Sequence, residues 1–212
     1  MHVPPQPRPR PTSGLDADVD ALARAAVGER WGRPLMAIGW CHLGLFSICQ
    51  VLFARGDRSG WHFLPLWGLD LGVALTIFRR TIGDPGRRPA PPLLGVLLRI
   101  WATFFLLCFS VAWLNSRIGF ATDWFKSVWA TLAAFGFATM AWIIHPAFLV
   151  AAVQMSVTGL LIARFPGEAY GIYGASWCLA LNGLGLAIER RRRSRPADRS
   201  QVQPWPEAVE VG

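Results

Sequence analysis

Residues 124–165 read WFKSVWATLAAFGFATMAWIIHPAFLVAAVQMSVTGLLIARF, and this stretch is almost continuously apolar. A single helix over it would be about 60 Å long, roughly twice the hydrocarbon thickness of a bilayer. His145-Pro146 interrupts the stretch near its middle. Because proline lacks a backbone N–H and disfavours helix in the residue before it, we predict a tight turn at this dipeptide. The stretch therefore predicts two membrane-spanning helices, residues 124–144 and 147–163.

Four further apolar segments have the length of a membrane helix. They cover residues 34–54, 61–78, 93–114 and 170–188. A helix needs about 20 apolar residues to cross a hydrocarbon core of about 30 Å. The composition agrees with this, since 53% of the residues are hydrophobic and 16% are charged, against roughly a quarter charged in soluble domains. We predict an all-α membrane protein that forms a bundle of about six transmembrane helices.

The distribution of arginine predicts the orientation of the bundle. Arg and Lys concentrate on the cytoplasmic side of membrane proteins. With six spans and the N-terminus inside, cytoplasmic segments hold fifteen of the 21 Lys and Arg, external segments hold five, and Arg99 lies within a span. The basic loop after span two and the run Arg190–Arg193 share a side only if an even number of spans separates them. We therefore predict a multi-pass protein of the cell (inner) membrane with both termini cytoplasmic.

Two polar regions, residues 1–33 and 189–212, flank the transmembrane region 34–188. The Pro- and Arg-rich beginning of the chain predicts a disordered tail, and residues 189–212 predict a basic, disordered cytoplasmic tail. Between residues 15 and 31, apolar side chains recur at helical spacing, at Leu15, Val19, Leu22 and Ala26. This pattern predicts a short helix that either lies along the membrane surface or is an ordinary solvated helix leading into the first span. Anionic lipid is a possible partner of the Arg-rich tails.

Five polar residues lie at a similar depth within the predicted spans. They are His42, Asp70, Arg99, Gln154 and Asn182. Asp70 and Arg99 are about 12 Å and 9 Å from the cytoplasmic boundary of consecutive spans, so we predict an ion pair between them. The layer as a whole is either a substrate or proton site inside the bundle, or a set of hydrogen bonds that holds the helices together.

Several other residues are explained by packing at least as well as by function. Gly68 and Gly72 form a GxxxG motif around Asp70 and predict a close helix contact. At the outer end of span four, Asp123 and Lys126 are three residues apart and are expected to pair on the surface. Five tryptophans lie deep in the spans and either line an apolar pocket or, as we expect, pack in the core: Trp40, Trp67, Trp101, Trp129 and Trp177.

The sequence contains no recognisable catalytic motif. HExxH, GxSxG and Walker patterns are all absent, and the four cysteines lie in apolar runs without a CxxC. We therefore expect no enzyme activity, cofactor or metal site. Because the basic residues flank apolar segments, we expect the bilayer and not a nucleic acid as the partner.

Two functions are compatible with these sequence features. One is a small-molecule transporter or permease-like protein that uses the intramembrane polar layer as its site. The other is a non-catalytic membrane subunit, anchor or sensor that acts through helix packing and its Arg-rich tails. The sequence leaves a protein partner or homo-oligomer undetermined.

Overall fold

The computed structural model describes residues 14–28, 30–57, 59–82, 92–117 and 125–194, and within them all regular secondary structure is helical. A single 3₁₀ turn, Pro166–Glu168, precedes the last helix. The helices are α1 (Gly14–Gly28), α2 (Gly32–Ala54), α3 (Gly60–Ile82), α4 (Pro92–Arg117), α5 (Phe125–Ile143), α6 (Phe148–Arg164) and α7 (Ala169–Ser194). Most of the tails predicted as disordered, residues 1–13 and 195–212, lie outside the described residues.

The centre of the bundle is an antiparallel pair formed by α2 and α7. Near one end the two backbones touch, because a Cβ atom on Gly185 would lie 2.5 Å from the carbonyl oxygen of Gly32. Further along, a Cβ atom on Gly174 would lie 2.7 Å from Cβ of Phe46. Small residues permit this close approach between membrane helices. The start of α2 and the Arg-rich end of α7 therefore lie together, at what we call the basic end of the bundle.

At the opposite end, Gln50 fastens α2 to the start of α7. Its side-chain Nε2 donates a hydrogen bond of 2.6 Å to the carbonyl oxygen of Gly167, in the 3₁₀ turn. Its Oε1 accepts a hydrogen bond of 3.1 Å from the backbone N–H of Gly171. This N–H belongs to the first turn of α7, where the helix itself provides no acceptor. Both ends of the α2–α7 pair are thus held by specific contacts.

A tight hairpin joins α5 and α6, and it breaks the chain at His145-Pro146 as predicted. The Nδ1 atom of His145 accepts a hydrogen bond of 3.1 Å from the backbone N–H of Ala147, a donor at the start of α6 that has no partner in the helix. Small residues again line the contact. A Cβ atom on Gly159 would lie 3.4 Å from the carbonyl oxygen of Ser127, and Ala130 is fully buried.

The other helices pack around these two pairs. α3 packs against α2 and α4 packs against α5, while the described parts of α3 and α4 have little direct contact with each other. α1 lies at the basic end, where Leu22 and Ala26 are buried in a cluster with Leu93 and Leu94 of α4. One face of α1 is therefore part of the protein core.

Large apolar side chains cover the outside of the bundle. Trp142 is 87% exposed, Val150 is 74% exposed and Leu160 is 72% exposed. Soluble proteins rarely present extended apolar surfaces, whereas lipid chains cover them in a bilayer. Within the described ranges, three segments are long and apolar enough to cross a membrane, namely Gly32–Ala54, Leu93–Asn115 and Pro166–Ser194. These features indicate an α-helical membrane protein.

The end of α7 differs from the prediction. Residues 189–194 were expected to belong to a disordered tail, but α7 continues through them to Ser194. Arg192 contributes to this extension, because its Nη2 lies 3.1 Å from Oε2 of Glu189, one helical turn earlier. Cationic side chains are also favourable in the last turn of a helix, where the helix dipole places partial negative charge.

The contact between Gly32 and Gly185 gives the first testable prediction. In Gly185→Ala, the new methyl group meets a backbone oxygen, so the helices must separate; overpacking of this kind costs roughly 1–3 kcal/mol. Gly183→Ala is the matched control on the same helix, because a Cβ atom there meets nothing within 4 Å. We expect the melting temperature in detergent to fall for Gly185→Ala alone. Equal melting temperatures for the two variants would contradict the close contact.

Candidate functional site: a buried histidine–aspartate pair

His42 on α2 and Asp70 on α3 form a hydrogen-bonded pair inside the bundle. Nδ1 of His42 lies 2.7 Å from Oδ1 and 2.6 Å from Oδ2 of Asp70. Both residues are buried, with 9% and 8% of their surface exposed. An imidazole N–H donates to the carboxylate, which otherwise would be a charge without a partner in apolar surroundings. The structure thus provides Asp70 with the partner that a buried carboxylate requires.

The pair lies near the middle of its two helices. His42 is about 15 Å along the axis from Gly32, and Asp70 is about 15 Å from Gly60, at 1.5 Å per residue. Both helices extend beyond the predicted spans at the basic end, so each residue lies further from that end of its helix than the predicted spans indicated. Aromatic rings surround the imidazole: Trp177 and Phe46 contact it edge-on, with centroids 5.6 Å and 6.4 Å away.

Asp70 borders a small cavity between α3 and α4. The cavity has a volume of about 60 Å³, which is enough for a few water molecules. Apart from Asp70, its walls are mainly aromatic and come from five helices, with Phe46, Trp67, Phe104, Cys108, Trp129 and Tyr173 among the lining side chains. A carboxylate at the edge of an aromatic cavity favours a proton or another small cation over an anion.

The predicted ion pair between Asp70 and Arg99 is wrong. Asp70 bonds to His42, and Arg99 is exposed on the outside of α4. Two physical reasons account for the difference. First, α3 packs against α2 and has little contact with α4. Second, Arg99 and Cys108 are nine residues apart on α4, which places them on opposite faces of the helix, and Cys108 lines the cavity. From that position a long arginine side chain can extend towards the membrane surface.

Gln154 and Asn182, the other two members of the predicted layer, bond elsewhere. Gln154 Nε2 donates a hydrogen bond of 2.8 Å to the carbonyl oxygen of Ser176, which joins α6 to α7. Asn182 Nδ2 donates to the carbonyl oxygen of Cys178 on its own helix at 2.7 Å. It also packs on α2, because a Cβ atom on Gly39 would lie 3.0 Å from this nitrogen. Of the five predicted residues, the structure joins only His42 to Asp70.

The GxxxG motif at Gly68 and Gly72 does not mediate helix packing in the described bundle. A Cβ atom on either glycine would meet nothing within 4 Å. Of the deep tryptophans, Trp67 and Trp129 line the cavity, with ring centroids 4.7 Å apart. Trp101 and Trp177 pack within the core, while Trp40 is 62% exposed on the outer surface. The tryptophans therefore serve both packing and the cavity wall.

Lys126, which we expected on the surface, is a buried cation that the sequence did not indicate. Only 1% of its surface is exposed. Its Nζ lies 3.6 Å from the ring centroid of Phe53 and 4.6 Å from that of Tyr170, distances at which aromatic faces attract a cation. The rings come from α2 and α7, so no pattern within α5 could predict this environment. Asp123, its expected partner, lies outside the described residues.

Metal ligation and similarity to known proteins give no further assignment. Across the described ranges, no group of three or more His, Cys, Asp or Glu side chains could hold a metal ion, and all four cysteines are free thiols. No protein-family model, curated protein or solved structure matches the chain. A proposal for its function has to rest on the geometry of its own residues.

A double-mutant cycle tests the pair. We expect His42→Gln and Asp70→Asn to be coupled by about 1–2 kcal/mol in the free energy of unfolding, because either change alone leaves a buried polar partner poorly satisfied. Arg99→Gln combined with Asp70→Asn is the control, and we expect its effects to be additive. Unfolding in mixed micelles with increasing SDS measures all five variants. Coupling of Asp70 to Arg99 instead of His42 would contradict the assignment.

Proposed function

We propose that this chain is a six-span protein of the cell membrane with both termini cytoplasmic. Three described segments are long and apolar enough to cross a membrane, and the proposal adds α3, α5 and α6 to them. These helices have 23, 19 and 17 residues, or about 34, 28 and 25 Å at 1.5 Å per residue. A hydrocarbon core is about 30 Å thick. Each of the three also exposes large apolar side chains that lipid would cover, such as Leu69, Phe135 and Val150.

The antiparallel packing of α2 and α7 supports an even number of spans. If both helices cross the membrane, the segment before α2 and the segment after α7 lie on the same side. The basic end also carries Arg79 and Arg80 at the close of α3, near Trp31, whose ring is 6.0 Å from that of Phe78. The concentration of arginine at this end supports a cytoplasmic location for it by the positive-inside rule.

Reporter fusions test this topology. We expect green fluorescent protein to fluoresce and alkaline phosphatase to be inactive when either is fused after Arg193. The opposite result is expected after Gly167, in the turn between α6 and α7, because the proposed topology exports that turn. Active phosphatase after Arg193 would overturn the orientation, and identical results at both sites would overturn the membrane crossing by α7.

For the function, we propose a small permease-like transporter whose site binds a proton at the His42–Asp70 pair. The single observation that carries this proposal is the buried pair beside the cavity between α3 and α4. A neutral imidazole with an ionised carboxylate has a charge of −1, and uptake of one proton makes the pair neutral overall. Ionisable groups at this depth are costly, and in membrane proteins they often relay protons.

The geometry of the pair suits proton exchange. When Nδ1 of His42 donates to the carboxylate, the second ring nitrogen, Nε2, is the position that gains or loses a proton. The cavity beside Asp70 can hold a few water molecules, and water is the simplest carrier between the pair and the membrane surface. The cavity lies between α3 and α4, which have little direct contact with each other.

The second candidate is a non-catalytic membrane subunit, anchor or sensor. Two observations favour it. Gln154 joins α6 to α7 by a hydrogen bond, and Asn182 bonds to its own helix and packs on α2. The cavity of about 60 Å³ is smaller than typical ligand sites of roughly 300–1,000 Å³. In this function the His42–Asp70 pair would hold α2 against α3 and would not exchange protons with the bulk.

Proton flux into liposomes separates the two candidates. We expect liposomes containing the wild-type protein, with an internal pH dye and an imposed membrane potential, to acidify faster than empty liposomes. Asp70→Asn should lower this rate about tenfold or more, because the site loses its ionisable carboxylate. His62→Gln is the control: it removes another His–Asp contact, between Asp57 and His62 at 2.6 Å, whose histidine side chain is 63% exposed.

Size-exclusion profiles must show that each variant is folded before its flux is compared. If the wild-type protein conducts no protons above the empty liposomes, the transport proposal fails and the subunit function replaces it. The same conclusion holds if a folded Asp70→Asn variant conducts as fast as the wild-type protein.

A further inference from the structure

A groove at the basic end lies between α1 and the last turns of α7. Its volume is about 360 Å³, within the range of roughly 300–1,000 Å³ that is typical of ligand sites. The α1 wall is apolar and consists of Ala23, Ala26 and Val27, and Ile188 of α7 continues this apolar wall. The remaining lining residues of α7 are polar, namely Arg190, Arg191 and Ser194. The groove is therefore amphipathic, with cations along one side only.

The two groove arginines are available to a ligand. Arg192 pairs with the buried Glu189, whereas no ion pair found in the described ranges involves Arg190 or Arg191, and both side chains are exposed. A guanidinium group donates several N–H bonds in a geometry that suits phosphate oxygens. On α1, Arg24 and Asp20 are the charged residues nearest in sequence to the lining residues, and their charges have opposite signs. The arginines of α7 therefore give the groove its positive charge.

The position of the groove along α7 matches the boundary of a bilayer. Ile188 is the last apolar residue of the helix, and the two groove arginines follow within about 5 Å along the axis. α1 is held there by packing, since Leu22 and Ala26 are buried against the start of α4. The apolar wall thus continues the lipid-facing surface, and the arginines lie one turn further out, at the level of lipid headgroups.

We propose that this groove binds the headgroup of an anionic phospholipid, with its phosphate on Arg190 and Arg191 and its glycerol and first acyl carbons along the apolar wall of α1. Charge complementarity and the amphipathic lining both favour a lipid over free phosphate, which has no apolar part. The inference rests on the proposed crossing of the membrane by α7, and it is independent of proton transport. It makes α1 a lipid-clamping helix at the cytoplasmic face.

Lipid binding by the full chain in neutral detergent tests the proposal, with fluorescent short-chain phosphatidylglycerol as the probe and phosphatidylcholine as the neutral comparison. We expect the wild-type protein to prefer phosphatidylglycerol about tenfold or more, as two cationic contacts allow. The double variant Arg190→Gln/Arg191→Gln should lose this preference. The matched control, Arg79→Gln/Arg80→Gln, removes two exposed arginines at the same end but outside the groove, and it should retain the preference.

A second variant tests the apolar wall with both arginines intact. Ala23→Glu places a carboxylate in the groove, so it should abolish the preference without a change in the arginines. Inorganic phosphate at equal ionic strength should not displace the lipid. The proposal is overturned if the control double variant loses as much preference as the groove variant, or if phosphate alone displaces the probe. A wild-type protein without any preference also overturns it, and in detergent that failure is distinct from a wrong topology in the fusion experiment.

Discussion

The backbone contact between α2 and α7 is the constraint on which the rest of the bundle depends. Lipid chains are as apolar as the side chains of membrane helices, so the hydrophobic effect contributes little to their association and close packing must provide it. At Gly32 and Gly185 no side chain separates the two helices. Together with the contact between Phe46 and Gly174, this contact makes the pair antiparallel, so the beginning of α2 and the arginines of α7 lie at one end. The rotation of α2 that places glycines against α7 also turns His42 towards Trp177 and α3.

The choice of partner for Asp70 follows from that rotation. A buried carboxylate needs a donor, and two ionisable residues were within range by depth alone, His42 and Arg99. Histidine is short and is already held between α2, α3 and α7, so it loses little freedom when it bonds. Arginine has a long, flexible side chain that can reach the headgroup region from its position on α4. Equal depth therefore does not decide which pair forms, and the packing of neighbouring helices does.

The sequence predicts where the helices of this protein lie better than it predicts which helices and side chains pack together. The break at His145-Pro146 has a local cause, since proline lacks a backbone N–H donor and restricts the conformation of the residue before it. Both effects follow from the dipeptide alone. The position of Asp70 in an apolar segment is equally visible. The sequence does not show which glycines make contacts. Gly68 and Gly72 form the GxxxG motif, whereas Gly32 and Gly185 form the contact between α2 and α7. The burial of Lys126 depends on aromatic rings from two other helices, and the sequence alone does not show that these helices meet at Lys126.

The polar residues inside the bundle fall into two groups once their bonds are known. Gln154 donates to a backbone carbonyl oxygen of α7 from α6, and Asn182 donates to one on its own helix. Asp70 differs because it borders unfilled space as well as its partner. A hydrogen bond that only held α3 against α2 would need no adjoining space, so the cavity is the feature that leads us to propose proton exchange at this pair.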